Sequence, residues 1–348
     1  MKRGKPIVGI SLGDVSGIGP EVTAKALGRK DVQDALVPVV FGDGPTLARF
    51  APFRVYDRRT DLHDRVKGPT LIEVTRLSDE ERKPGRPTEA GGLAQYAFFE
   101  AAIIAAREEL VDAICTAPVS KEQISRAGIP FMGHTEVLAE SFGVDVLMLM
   151  DGPRVRVALA TNHLPLADVP KAITVASIGR QLRLLHDSFV NVLGRAPKIA
   201  VCGVNPHAGE GGLLGREEVE VLVPAIEKAR RGGLKVTGPL PADGLFAKAA
   251  GKFPFDVVLA MFHDQGLVAA KALDFELTVN VTLGLPVPRT SPDHGTAYDI
   301  AGKNQASEEP MVAALLKAAE LAVAQASRAR SSGRSKPGSK IGRRAARG

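Results

Sequence analysis

Only two cysteines occur in 348 residues, which excludes a disulfide framework, and no Cys-x-x-Cys spacing offers a thiolate zinc site. Cys115 and Cys202 close the apolar runs Asp112-Ala-Ile-Cys115 and Ile199-Ala-Val-Cys202 and read as buried reduced thiols. No apolar stretch approaches the roughly 18 residues of a membrane helix. The start, Met1-Lys-Arg-Gly-Lys5, leads straight into a short strand instead of the apolar region of a signal peptide, so a cytoplasmic protein is expected. Three local motifs are also missing. There is no His-Glu-x-x-His, no glycine loop followed by Gly-Lys-Ser/Thr, and no complete dinucleotide fingerprint, because Gly17-x-Gly19-x-x-Val22 lacks its closing glycine.

What remains is a globular composition, 45% hydrophobic and 24% charged, in a chain long enough to bury a core without a metal or disulfide. The net charge of +6 is misleading. From Ser327 onward there are eight basic residues and no acidic one, so the remainder carries −2. The stretch 327–348 reads as a disordered basic tail. A nucleic-acid partner rests on that tail alone, and a membrane partner is not expected.

Short runs rich in Val, Ile and Leu at 6–12, 36–41, 110–115, 155–160, 198–202, 256–261 and 277–281 alternate with helical patterns at 20–28, 93–108, 120–127, 133–142, 174–192, 216–231 and 309–326. That alternation predicts a largely parallel α/β protein. Residues 79–92, charged and rich in proline and glycine, read as a surface loop.

Three histidines share a setting. His163, His207 and His263 each lie just past the C-terminal end of an apolar run, the edge where open α/β sheets bind ligands. One such histidine is ordinarily structural; three in equivalent places point to a divalent metal held by neutral imidazoles. Two glycine-rich turns offer anion sites at helix starts: Leu12 to Glu21, where a plain packing turn is equally consistent, and Gly133-His-Thr-Glu136. Asp264, Gln265, Lys271, Asn280 and Arg289 form a polar set in otherwise apolar sequence. Arg289, between Pro288 and Thr290, is expected to be buried and to need an anionic partner.

The segments Thr116-Ala-Pro-Val-Ser-Lys121, Gly133-His-Thr-Glu136, Asn205-Pro-His-Ala-Gly-Glu-Gly-Gly212, Gly238-Pro-Leu-Pro-Ala-Asp243, His263-Asp-Gln-Gly266, Val281-Thr-Leu-Gly-Leu-Pro286 and Arg289-Thr-Ser-x-Asp-His-Gly-Thr-Ala297 together resemble the 4-hydroxythreonine-4-phosphate dehydrogenase family of pyridoxal phosphate biosynthesis. The likeness runs from about residue 6 to 326. It implies a two-lobed fold like the isocitrate and isopropylmalate dehydrogenases, with the active cleft between lobes. A nucleotide-binding lobe would comprise 1–130 and 275–326, and a metal-binding and dimerisation lobe 131–274. It further implies a homodimer with shared active sites, a small phosphorylated substrate, NAD or NADP, and one divalent ion (Zn, Co, Mn or Mg) per site. By resemblance, His163, His207 and His263 are the metal ligands, with His263 supplied by the partner. His134, Thr135, Lys271, Asn280 and Arg289 bind substrate, and His294, Gly295, Thr296 and Ala297 bind the nucleotide. The implied reaction is oxidation of 4-phosphooxy-L-threonine at C3 followed by decarboxylation. A sister branch acting on 4-phospho-D-threonate or 4-phospho-D-erythronate is the alternative, and three histidines with phosphate-binding turns would also permit a metal-dependent hydrolase or acyltransferase.

Overall fold

The structure is a computed structural model that describes residues 4–50, 54–57 and 69–331. The first three residues and the tail from 332, whose disorder was an expectation, lie outside the described residues. Twelve strands form one sheet: β1 Ile7–Ser11, β2 Val37–Asp43, β3 Arg54–Asp57, β4 Thr70–Thr75, β5 Ala113–Thr116, β6 Leu147–Asp151, β7 Arg156–Leu159, β8 Lys198–Cys202, β9 Lys235–Leu240, β10 Val257–Ala260, β11 Val279–Leu283 and β12 Arg289–Pro292. Their order across the sheet is β3-β4-β2-β1-β5-β12-β11-β6-β7-β10-β8-β9. The α/β class expected from the sequence therefore holds.

The pairing is parallel on both flanks, as βαβ alternation requires. Three pairings at the centre are antiparallel: β12 with β11, β11 with β6, and β6 with β7. They reverse the strand direction between the first and second halves of the chain, so the two flanks meet at a seam made largely of segments distant in sequence. Apolar residues explain the packing. The helix Glu89–Arg107 buries Phe98, Phe99, Ala102 and Ile103, which join Val8, Ile10 and Ile114 of β1 and β5 in the larger core. A second cluster gathers Met150, Val157 and Leu159 with Val258 and Leu267. Each large side chain buried this way contributes about 1.5–3 kcal/mol. Both cysteines lie fully inside, where burial pushes each thiol up to about 12, in keeping with inert core residues.

Two expectations need correction. The surface-loop reading of 79–92 holds over 79–88, where Arg82 alone is buried, against Asp43 and Asp79, but fails at its end: Thr88 caps a helix that begins at Glu89, its hydroxyl accepting from the Gly91 amide. The helix expected to end at 326 continues to Ser331, and Arg328 donates to the Val190 carbonyl, so the tail does not begin at Ser327.

Candidate active site

The central antiparallel strands build the floor of a cleft. Register places Arg289 opposite Thr282 and Ser291 opposite Asn280, with Asn280 in turn opposite Met150 and Thr282 opposite Met148. Side chains alternate along a strand, so Arg289, Ser291, Asn280, Thr282 and Met148 share one face. Over this face lies a cavity of about 360 Å³, walled by Thr116–Val119, Lys121, Gly133–Glu136, Asn162, His163, His263, Lys271 and Asp293–Gly295. Asn280 thus reaches the site from within β11 and Arg289 from the first residue of β12, not from the C-terminal strand ends that an open parallel sheet would use.

Arg289 sets the electrostatics. Its guanidinium is buried, with Nη2 donating to Thr116 Oγ1 at 2.6 Å and Nη1 to Thr282 Oγ1 at 3.2 Å, and Nε has no partner. Among the described residues no carboxylate pairs with it. Burial lowers its pKa to about 10, so it is still a cation at neutral pH, held in apolar surroundings without a counter-ion. Such a group calls for an anion from outside. His134, first residue of the helix His134–Phe142, stands edge-on to Phe99 and Phe131 at centroid distances of 4.5 and 5.5 Å. Burial, then Arg289 and Lys121, hold it well below the usual imidazole range. It is therefore neutral, and its buried Nε2 is unpartnered, as is Asn280 Oδ1. Lys271 pairs with Asp293 at 2.8 Å, and Thr135 lines the cavity beside His134. All five expected substrate residues converge on one cavity.

The three histidines behave differently. Leu159 lies opposite Ala260 in the β7–β10 pair, so the loops leaving these strands emerge side by side and bring His163 and His263 to a ring-centroid distance of 5.5 Å. Burial, aided by Lys121 and His263 and opposed by Glu136, lowers the His163 pKa. His263 Nδ1 meets Asp264 Oδ1 at 2.7 Å, a contact that orients the ring and leaves Nε2 for a ligand. This pair fits two positions of a divalent-metal site. His207 does not join them, and among the described residues no three His, Cys, Asp or Glu side chains converge on one point. Its loop is left-handed through His207, Ala208, Gly209, Glu210 and Gly211, with φ between 46° and 77°. Glu218 holds that turn: buried, it accepts from the Val204 and Asn205 amides at 2.7 and 2.8 Å and from Asn205 Nδ2 at 3.0 Å. A Cβ on Gly209 would stand 2.4 Å from Glu218 Oε2, so only glycine fits. Within one chain, then, His163 and His263 share the cleft and His207 lies apart from them.

The turn Leu12–Glu21 is not an open anion site. Residues 11–20 are all buried, the Asp14 amide donates to Pro118 O and the Ile18 amide to Thr296 O, and a Cβ on Gly17 would meet Thr296 O at 2.8 Å. It packs instead against the loop carrying His294, Gly295, Thr296 and Ala297. In that loop His294 Nε2 is buried without a partner, and Gly295 has open space where a Cβ would point. The loop faces the cavity through His294 and Gly295, and its donors and bare backbone fit a nucleotide.

Residues 34–318 match the family described as pyridoxal phosphate biosynthetic protein PdxA. The chain belongs to the PdxA family. Among relatives, a 4-hydroxythreonine-4-phosphate dehydrogenase of Geobacter metallireducens (strain ATCC 53774 / DSM 7210 / GS-15) is 44% identical, covering 92% of this chain and 97% of its own. A D-threonate 4-phosphate dehydrogenase of Cupriavidus necator (strain ATCC 17699 / DSM 428 / KCTC 22496 / NCIMB 10442 / H16 / Stanier 337) is 42% identical, with coverage of 92% and 98%. A crystal structure of a 4-hydroxythreonine-4-phosphate dehydrogenase from Burkholderia phymatum superposes with a TM-score of 0.76 at 40% identity, over 92% of this chain and 99% of that one.

Seen within the PdxA family, the cavity also holds residues not singled out from the sequence: Thr116, Lys121, Glu136, Asn162 and Asp293. Thr116 and Lys121 bound the Thr116-Ala-Pro-Val-Ser-Lys121 segment and Glu136 closes Gly133-His-Thr-Glu136, so their positions inside those motifs were the available signal. Asp293 stands likewise inside Arg289-Thr-Ser-x-Asp-His-Gly-Thr-Ala297, but its ion pair with Lys271 was not legible there.

Proposed function

We propose that the chain oxidises 4-phosphooxy-L-threonine at C3 with NAD or NADP and a divalent metal ion, forming a 2-amino-3-keto acid that loses carbon dioxide to leave 3-amino-2-oxopropyl phosphate for pyridoxal 5'-phosphate biosynthesis. The observation that carries this reading is the buried, unpaired Arg289 beside the start of the helix His134–Phe142. Arg289, the Thr135 hydroxyl, the neutral His134 ring donating from Nε2, and the helix N-terminus receive the phosphate. Lys271 holds the carboxylate end, and Asn280 Oδ1 accepts from the donor on C2, fixing C3 toward the loop at His294.

His163 and His263 hold the metal ion together with His207 of a second copy. When bound, the ion supplies a Lewis acid that lowers the pKa of a hydroxyl and spreads the charge developed as carbon dioxide leaves. His294, Gly295, Thr296 and Ala297 hold the nucleotide, whose nicotinamide is the hydride acceptor. A homodimer follows from the ligand set. Leu164, Leu166, Leu213 and Leu214, flanking His163 and following His207, are exposed, as apolar side chains are where another chain covers them.

D-threonate 4-phosphate is the second reading, favoured by the 42% identical relative and by an Asn280 acceptor that takes a C2 hydroxyl as well as a C2 amine. The test is NAD(P)H absorbance with purified protein and each substrate, with and without added divalent metal. We expect metal-dependent reduction with kcat/KM higher for 4-phosphooxy-L-threonine. The reverse preference selects the second reading, and no reduction with either substrate overturns both.

A further inference from the structure

The loop that presents His294 to Ala297 is tied down from outside the cavity. Asp14, in the turn after β1, is buried. Its Oδ1 accepts from the Ser16 amide at 2.8 Å, and its Oδ2 accepts from the Tyr298 hydroxyl at 2.5 Å and from Gln95 Nε2 at 3.4 Å. Gln95, also fully buried, accepts through Oε1 from the Ser120 amide at 2.7 Å. A continuous chain of hydrogen bonds therefore runs from Ser120, beside the cavity residue Lys121, through Gln95 and Asp14 to Tyr298, one residue beyond Ala297. The backbone bond from Ile18 N to Thr296 O at 2.9 Å runs alongside it. At its far end the loop is held by a second buried carboxylate, Glu21, which accepts from the Ala306 amide at 3.1 Å. Between these anchors Ala297 is left-handed, with φ 43°, a conformation unfavourable for a residue bearing Cβ that persists only when its surroundings enforce it.

We propose that Asp14 and Tyr298 form a latch that holds residues 294–297 in their nucleotide-binding shape, making both positioning residues for NAD(P). This rests on the reading of that loop as the nucleotide site. The latch explains why a carboxylate is buried where, among the described residues, no basic side chain pairs with it. The tyrosine hydroxyl is a charge-assisted donor to it, and burial pushes the Asp14 carboxyl above its usual range in spite of its donors.

The test uses the full chain, with Tyr298→Phe, Asp14→Asn and the double variant. NADH binding is followed by its fluorescence without substrate, inorganic phosphate binding by calorimetry, and amide hydrogen exchange over 294–301 by mass spectrometry. The latch predicts that Tyr298→Phe weakens NADH about tenfold, equivalent to about 1.4 kcal/mol. Phosphate affinity should stay within about twofold, and exchange in 294–301 should quicken. The double variant should be little worse than either single one, as for residues acting as a unit. Unchanged NADH affinity and unchanged exchange in Tyr298→Phe would overturn the latch, as would a parallel loss of phosphate affinity, the mark of general damage. Faster exchange in the variant of a wild-type protein that binds no NADH would keep the latch as a loop anchor and remove the nucleotide reading.

Discussion

Arg289 was legible as a buried residue because it stands in an apolar, proline-flanked stretch; that its only partners are two threonine hydroxyls appeared only with the register of β12 on β11. The structure carries this cation at a cost that a bound anion offsets. Arg289→Met should therefore lose at least about 30-fold in kcat/KM, the scale of 2–5 kcal/mol for one half of a buried charged pair, while melting no lower than wild type in phosphate-free buffer. Inorganic phosphate should raise the wild-type melting temperature, by the equivalent of about 2.7 kcal/mol at 100 times its Kd, and leave the variant unmoved. Scanning fluorimetry with and without phosphate, beside steady-state kinetics, checks both halves. His134 and Thr135 were readable from a helix-start motif. Lys121 and Asp293 were readable only as members of longer motifs; that they wall the same cavity appeared only with the fold.

At the scale of elements, most strands rich in β-branched residues and the long amphipathic helices were readable, whereas β3, β4, β6, β9 and β12 were not, β4 in spite of its Thr-Leu-Ile-Glu-Val-Thr sequence. β6 is Leu-Met-Leu-Met-Asp, without a β-branched residue; β9 contains Gly238-Pro239; β12 is Arg-Thr-Ser-Pro. β6 and β12 form much of the central antiparallel seam, so the cleft floor was the least visible part of the fold. The left-handed turn at His207 is an element of the same kind, fixed by Glu218, which is 13 positions downstream of Asn205. Glu218→Gln should weaken metal binding about 10- to 100-fold, the usual scale for losing a group that orients a ligand, measured by Co(II) absorbance titration. Retained affinity would count against Glu218 as the organiser of that loop. The helix Glu309–Ser331 gives another expectation. A chain ending at Ser331 should keep its KM, kcat and melting temperature and lose only its retention on heparin. One ending at Ala326 also loses the Arg328 bond to Val190 O and should melt about 2 °C lower.

At the scale of the whole molecule, the alternation of strands and helices announced the α/β class, but the nearness of His163 to His263 was beyond sequence, since it depends on β7 and β10 being neighbours. Under the proposed shared site, in which His163 and His263 of one chain hold the ion with His207 of another, mixing inactive His163→Ala with inactive His207→Ala under subunit exchange should restore activity: one site of the mixed dimer collects both substitutions and the other is intact. Mixing His163→Ala with His263→Ala should restore none, because each site keeps one defect. If this cleft couples oxidation to loss of a carboxyl group, following NAD(P)H formation and carbon dioxide release together, with 4-phosphooxy-L-threonine and added divalent metal, should give equal amounts of both from wild type and neither from Arg289→Met. NAD(P)H without carbon dioxide, or full turnover in Arg289→Met, would overturn that coupling.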